Sequence, residues 1–515
     1  MRKRAPAWRS SVGRKLKVHD RHQVELKLEY RPSPGERQSR YVVEAFICVP
    51  GSLNVGPDNV PSERLYADVH NYVRLKTPEL SWSELGGLPT SPLVRLEAEL
   101  EAVAAGGDAR RLIYQAKLTA CVFRANLREL ASTFEKQSAR LVDGGVAEVA
   151  RLEDLVEEQL DNARSLLDRL RAVIERAQLP EVPTAALRLA DEYISVSLEQ
   201  YLRKIIVALS RARLAPAAHA AAAALKRALL DAILVEEKHR RARGYPSIID
   251  PLGDNEPYVY RGGLLKKFCS SVLFLEIRRA YARRPWQELM FAIAAGIAMA
   301  FATIIAFWAQ TRYSVVGMQL FLILVVGYMF KDRIKEGARG IFSRWLQRFW
   351  DRKIVIDDPA GGSLGTCNEK IHYVRKEDVP AEINELRARG LDVGTRLATL
   401  ELDETVIHYK KELKLDAQRL EERGLTDILR FHVARLLHDM DEPDQEIEYI
   451  DETTQALGPV RAAKTYHVDL IFRVSAARRP PQVTLMRLIL DRNGIRRIER
   501  TEAAPESSMS MQQTA

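Results

Sequence analysis

The sequence predicts an α+β membrane protein: a two-helix transmembrane hairpin set between a cytoplasmic helical bundle, with a β-hairpin ahead of it, and a cytoplasmic antiparallel β-rich domain. Three observations carry this. Two uncharged apolar runs, Leu289 to Ala309 and Tyr313 to Phe330, are separated only by Gln310, Thr311 and Arg312. The chain from Pro92 to about Arg243 keeps a helical apolar period, and beyond Ile354 the period becomes two. At about 1.5 Å per residue the two runs reach roughly 31 Å and 27 Å, enough for a hydrocarbon core about 30 Å thick.

Residues 1–20 read as a basic, disordered tail: Arg2, Lys3, Arg4, Arg9, Arg14, Lys15 and Lys17 occur with no acid before Asp20. The apolar run of a secretory signal is missing. The acid-free character also suits a mitochondrial presequence, but the internal hairpin and the Ala/Arg/Leu-rich composition favour a bacterial inner-membrane protein. In 21–90, Val24, Leu26, Leu28 and Tyr30 alternate and, after Pro32 to Gly35, Tyr41 to Val49 follows, so a strand pair is expected. Leu65, Val69, Tyr72 and Val73 then suggest a short helix capped by Ser62. Residues 91–245 predict a bundle of four or five helices broken at Gly106-Gly107, Gly144-Gly145, Pro180 to Pro183 and Pro216. Its clearest member carries one stripe through Leu152, Val156, Leu160, Ala163, Leu167, Leu170, Ile174 and Ala177. Glu236, Glu237 and His239, beside Lys238, Arg240 and Arg241, read as a solvated helix end.

Residues 246–285 are expected to form a linker and a juxtamembrane helix over Leu264 to Arg284, with Pro285 in the first turn of the span. Within the hairpin, 286–330, aromatic rings predict both interfaces, Trp286 and Tyr328 at one face and Trp308 and Tyr313 at the other. Arg278, Arg279, Arg283 and Arg284 precede the first span, Lys331, Arg333, Lys335 and Arg339 follow the second, and the turn holds only Arg312, so both flanks are expected in the cytoplasm. A buried core hairpin would need an apolar surround that these flanks do not offer. Ala292, Gly296 and Ala300 form a small-residue face for helix packing, within the hairpin or between copies. No ionisable side chain lies in either run, which argues against an ion carrier.

In 331–353, Ile334, Ala338, Ile341, Phe342, Trp345, Leu346 and Phe349 recur at helical spacing with Arg339, Arg344, Arg348 and Arg352 between them. The expectation is an amphipathic helix on the headgroups, against the alternative of a straight stalk bending or not at Gly337 and Gly340. Residues 354–500 read as strands around Val406 to Lys410, Ile428 to Leu437, Tyr466 to Val474, Val483 to Leu490 and Ile495 to Ile498, with a helix near Pro380 to Arg389. Asn493-Gly494 marks a hairpin because both residues accept positive φ. Residues 501–515 read as a polar, disordered tail.

The formal charge of +9 changes meaning once located: seven charges lie in the first seventeen residues, six net in Arg261 to Arg284 and five net in Lys331 to Lys353, leaving about −9 elsewhere. The expected partners are therefore the lipid bilayer and its anionic headgroups, with a protein partner or self-association, and not nucleic acid. Cys48, Cys121, Cys269 and Cys367 are widely spaced and predict reduced thiols. Asp357-Asp358-Pro359 reads as a turn, Gly361, Gly362 and Gly365 lack the Lys-Ser/Thr of a P-loop, and His438 to Glu446 reads as a solvated acidic loop without the EF-hand glycine. His432 and His438 have no visible nucleophile partner. No catalytic residue, metal site or cofactor is expected. The leading function is a membrane-anchored scaffold, sensor or regulatory protein. The alternative is a homo-oligomeric channel or membrane-disrupting effector gated by its cytoplasmic domains, and a third class is a hydrolase using Asp357 and Asp358.

Overall fold

The structure is a computed structural model that describes residues 16–502 apart from 31–36, 177–178, 281–283, 313–316, 347–349, 359–361, 390–402, 421–423, 451–452, 454 and 477–479; residues 284, 343–346, 501 and 502 are described by backbone alone. In chain order the chain forms β1 (Leu16–Asp20), β2 (Gln23–Tyr30), β3 (Gln38–Pro50), α1 (Ser62–Leu65) and β4 (Val69–Leu75). Helices α2 (Trp82–Gly87), α3 (Pro92–Ala104), α4 (Ala109–Ser138), α5 (Val146–Arg176), α6 (Glu181–Arg211), α7 (His219–Ala242) and α8 (Glu256–Ser270) follow. Then come β5 (Glu276–Ala280), α9 (Arg284–Arg312), α10 (Met318–Leu346), β6 (Arg352–Asp358), β7 (Gly362–Val374) and α11 (Ala381–Ala388). The chain closes with β8 (Glu404–Asp416), β9 (Leu425–His432), β10 (Asp444–Ile450), β11 (Leu457–Ala463), β12 (Tyr466–Ala476), β13 (Gln482–Asp491) and β14 (Gly494–Glu502). It is a mixed α and β protein with antiparallel sheets, in two compact units: Met1–Arg74 with Leu275–Ala515, and Leu75–Phe274.

The first unit holds a four-stranded sheet, β1-β2-β9-β4, an eight-stranded sheet, β14-β13-β12-β3-β8-β7-β6-β5, and a separate ribbon, β10-β11. The two larger sheets pack face to face. Phe431 on β9 meets Tyr409 on β8 and Phe472 on β12, with ring centroids 6.2 and 5.8 Å apart, and Tyr30 on β2 lies 4.6 Å from Tyr41 on β3. On the other face of the large sheet, α11 buries Ile383 and Leu386 against Phe46, Cys48, Val406, Ile471 and Leu485. In the middle of the sandwich Lys411 and Asp427, 1% and 0% exposed, form an ion pair at 2.8 Å, and the Tyr30 hydroxyl donates to the same carboxylate.

β2 and β3 are not each other's partners: β2 pairs with β1 and β9, and β3 with β8 and β12, so each joins a different sheet built from distant sequence. Residues 16–20 of the expected tail form β1, while 1–15 and 503–515 lie outside the described residues. The expected helix after Ser62 stops at Leu65, and Val69, Asn71, Val73 and Leu75 are the buried alternation of β4. Its periods of two and three-to-four share Val69 and Val73, so spacing alone could not separate them. The strand around Ile428 ends at His432 and gives way to a helical turn, Ala434–Leu437. The juxtamembrane helix is cut short: within Leu264 to Arg284 the helix is the end of α8 and stops at Ser270, and Glu276 to Ala280 pair with β6 as an edge strand. The Asn493-Gly494 turn is present, with Gly494 at φ +126° and in a place where a Cβ would strike the Arg21 carbonyl.

The second unit is a helical bundle whose breaks fall at the Gly and Pro positions read from sequence. Val149, Leu152, Val156, Leu160, Ala163, Leu167 and Leu170 of α5 are buried, as its stripe requires. α6 is buried on every side from Ala190 to Glu199, carboxylates included. Asp191 accepts from Arg171, His239 and Tyr245; Glu192 accepts from Arg261; Glu199 pairs with Arg240 and Arg203. This overturns the solvated reading of α7's end: Glu236 pairs with Arg171 at 2.7 Å and Arg240 is fully buried, while Glu237 and Arg241 form the solvated pair expected there.

Candidate membrane interface

Helices α9 and α10 follow one another between the edge strand β5 and its neighbour β6. They pack antiparallel: a Cβ on Gly327 would come within 3.0 Å of Ile305, and the Arg339 guanidinium lies 5.2 Å from the Phe291 ring. Phe301, Ile305 and Trp308 share one apolar cleft with Leu322, Ile323 and Phe330, which sets Phe301 level with Phe330 and Trp308 level with Leu322. The hydroxyls of Thr303 and Thr311 donate to the carbonyls of Met299 and Phe307, so both are satisfied within the helix.

Large apolar side chains of the pair face outward. Ile304 is 67% exposed, Phe307 65% and Phe321 62%, with Trp308, Leu322, Val326 and Met329 similarly open. A core hairpin of a soluble protein would bury these side chains. Among the described residues one helix, Pro285–Arg312, is long and apolar enough to cross a membrane. Two such spans were expected. α10 has only Met318 to Phe330 ahead of the charges that begin at Lys331, about 20 Å of helix.

The predicted interface residues do not fall into two belts. Tyr328 lies beside the middle of α9, next to the level of Ile305, about 25 Å along the helix from Trp286. Trp308 and Trp286 are exposed near opposite ends of α9; Tyr313, Arg283, Arg348 and Phe349 lie outside the described residues, and Arg284, Arg344 and Trp345 are described by backbone only. Lys331 covers the Tyr328 ring at 3.7 Å. Arg333 lies 3.9 Å from Glu336, one helical turn on. Arg339, not Lys331, lies level with Phe291 in the first third of α9. α10 runs unbroken through Gly337 and Gly340 to Leu346.

The small-residue face is also displaced. Ala292, Gly296 and Ala300 are exposed, and a Cβ on Gly296 would meet nothing within 4 Å. Ala294 and Ala298 are the buried pair, and Gly327 is the close-approach residue of α10. An Ala-rich run offers the four-residue spacing in several frames, so spacing could not choose between them. A single glycine among large apolar residues was the available signal.

The other candidate residues stay apart. Asp357 on β6 pairs with Arg278 on β5 at 2.6 Å, Asp441 with Lys464 at 2.5 Å, and His438 with Asp439 at 2.7 Å. His432 packs edge-on to His70 at 4.8 Å. Among the described residues no group of three or more His, Cys, Asp or Glu side chains could hold a metal. All four cysteines are buried free thiols, and burial pushes Cys48 up to about 12. No known family, curated protein or solved structure matches the chain.

One pH dependence follows from the large sheet. Burial, aided by Lys370, His408 and Lys410, lowers His372 to about 4, whereas an unfolded histidine titrates near 6.5. Burial opposes ionisation of Glu44, but His408, 3.4 Å away, and Arg473, which donates to the carboxylate at 2.8 Å, prevail and hold it at about 2. The unfolded chain therefore takes up more protons, and stability should fall as pH drops from about 6.5 to 4 through His372, then further below about 4.5 through Glu44. Urea midpoints measured across this range check it. His372→Gln should flatten the upper part, and an unchanged slope would refute the assignment.

Proposed function

We propose that this chain is a membrane-anchored scaffold, sensor or regulatory protein without catalytic chemistry, seated by α9 and α10 in the bacterial inner membrane with its soluble units in the cytoplasm. The observation that supports this best is the outward-facing apolar surface around the tip half of the pair, which water disfavours and acyl chains would cover. Arginines on β5 and basic residues on α10 support the cytoplasmic side and contact with anionic headgroups. The soluble parts would bind a protein partner or another copy. A homo-oligomeric channel is the second reading, favoured by the exposed Ala292, Gly296 and Ala300 face, through which helices of two copies could approach closely.

Ala280 and Lys353 face each other across β5 and β6, so an Asn-Gly turn could replace everything between them. The full chain should sediment with membranes and resist alkaline carbonate, and the excised variant should be soluble with an unchanged β-sheet circular dichroism signal. A full chain recovered from the soluble fraction as a monomer would refute the anchor. A strict monomer in detergent would remove the channel reading alone.

A further inference from the structure

The register of the pair places its charges where a bilayer-crossing hairpin would not. Phe330 is level with Phe301 and Arg339 with Phe291, so Lys331, Asp332, Arg333, Lys335 and Glu336 run alongside Ala295 to Ala300, inside the apolar run of α9. The pair thus has two halves. Beyond Phe301 and Phe330 both helices are apolar apart from Thr303 as far as Ala309 and Leu320, over about 12–15 Å, and Gln310, Thr311 and Arg312 follow at the tip. From Phe301 and Phe330 to the base, α9 presents Leu289, Ile293, Ile297 and Met299 to the outside while α10 presents Asp332, Arg333, Glu336 and Arg339.

A hairpin standing upright across a core about 30 Å thick would hold Asp332 and Glu336 roughly 10 Å below the surface, and short acidic side chains cannot reach back to water from that depth. Standing only as deep as Lys331, it would leave the open side of α9 in water. A slanted pose satisfies both halves. We infer that the pair is a re-entrant wedge held in one leaflet: the tip dips into the acyl chains only as far as lets the long Arg312 side chain reach back to the headgroups, the open face of α9 lies on the acyl chains along its length, and the charged face of α10 lies among the headgroups, with Arg312 short of the opposite surface. Lys331, Arg333, Lys335 and Arg339 then meet lipid phosphates, and Lys331 can stay over Tyr328 while doing so. The wedge rests on the membrane reading above, and it replaces a crossing anchor with one that never leaves the cytoplasmic side.

Thiol labelling in the full-length protein tests it, because the four native thiols are buried and the wild type measures their background. Gln310 and Glu336 are exposed, so Gln310→Cys and Glu336→Cys should fold. Membranes carrying each variant are prepared right-side-out and inside-out and treated with an impermeant maleimide. The wedge predicts Gln310→Cys unlabelled from the outer side, Glu336→Cys labelled from the cytoplasmic side, and both labelled in detergent. Labelling of Gln310→Cys from the outer side would establish a crossing hairpin and overturn the wedge while leaving the anchor intact. Protection of Glu336→Cys from both sides would place α10's charges against protein and also overturn it. Release of the wild type by carbonate would instead sink the membrane reading.

Discussion

Lys411→Met should destabilise the β-sheet unit by about 3–5 kcal/mol, because it strands Asp427 in the middle of the sandwich with the Tyr30 hydroxyl as its one remaining side-chain partner among the described residues. The asymmetry between removing one charge and removing both is what makes this informative. Burial on its own would lower the Lys411 pKa, but the adjacent Asp427 charge raises it above the ordinary lysine value, so Lys411 keeps its charge at neutral pH. Lys411→Met combined with Asp427→Val removes both charges from the same dry site and should recover most of the lost stability. Denaturant melts of the two single variants and the double variant form a cycle. A Lys411→Met cost below about 1 kcal/mol would mean that water reaches the pair and that the sandwich is looser than drawn.

In the bundle, Arg240→Met should cost a comparable amount, about 3–5 kcal/mol. Arg240 reaches three acceptors from one buried side chain: the Ser247 carbonyl at 3.0 Å, the Ser195 hydroxyl at 2.9 Å and the Glu199 carboxylate. Methionine matches its length and removes every donor. Glu199 keeps Arg203 at 2.5 Å, but that guanidinium is half in water and cannot replace the bonds to Ser195 and Ser247. Arg241→Met, one residue on, breaks only the solvated pair with Glu237 and should change stability by less than about 0.5 kcal/mol. Equal effects of the two substitutions would remove the argument that α6 is held by its buried carboxylates.

How much of this was readable in the sequence depends on how local each signal is. The bundle's helix ends were readable because Gly106-Gly107, Gly144-Gly145, Pro180 and Pro216 stop helices wherever they pack, and the stripe on α5 names its own buried face. The Asn493-Gly494 turn was readable for the same reason. Strand partners were not: β2 and β3 alternate correctly, yet nothing in a period of two says that one belongs beside β9 and the other between β8 and β12. The buried carboxylates of α6 were missed because Asp191, Glu192 and Glu199 look like the polar face of any helix until Arg171, Arg240 and Arg261 arrive from three other helices. At the candidate interface, composition identified the apolar pair, but only the register shows that Lys331 lies beside the apolar run of α9 and not at its end.

The insertion of the helix pair between β5 and β6 limits how far the sheet can travel. Three residues separate Ala280 from Arg284, which spans no more than about 14 Å even when fully extended. If the helices sit in lipid as proposed, the edge of the eight-stranded sheet is confined to a thin layer above the bilayer, and it diffuses in two dimensions with its anchor. A partner that shares the membrane meets this edge at a far higher effective concentration than one dissolved in the cell, so even a weak contact made by the sheet becomes occupied when both proteins are tethered.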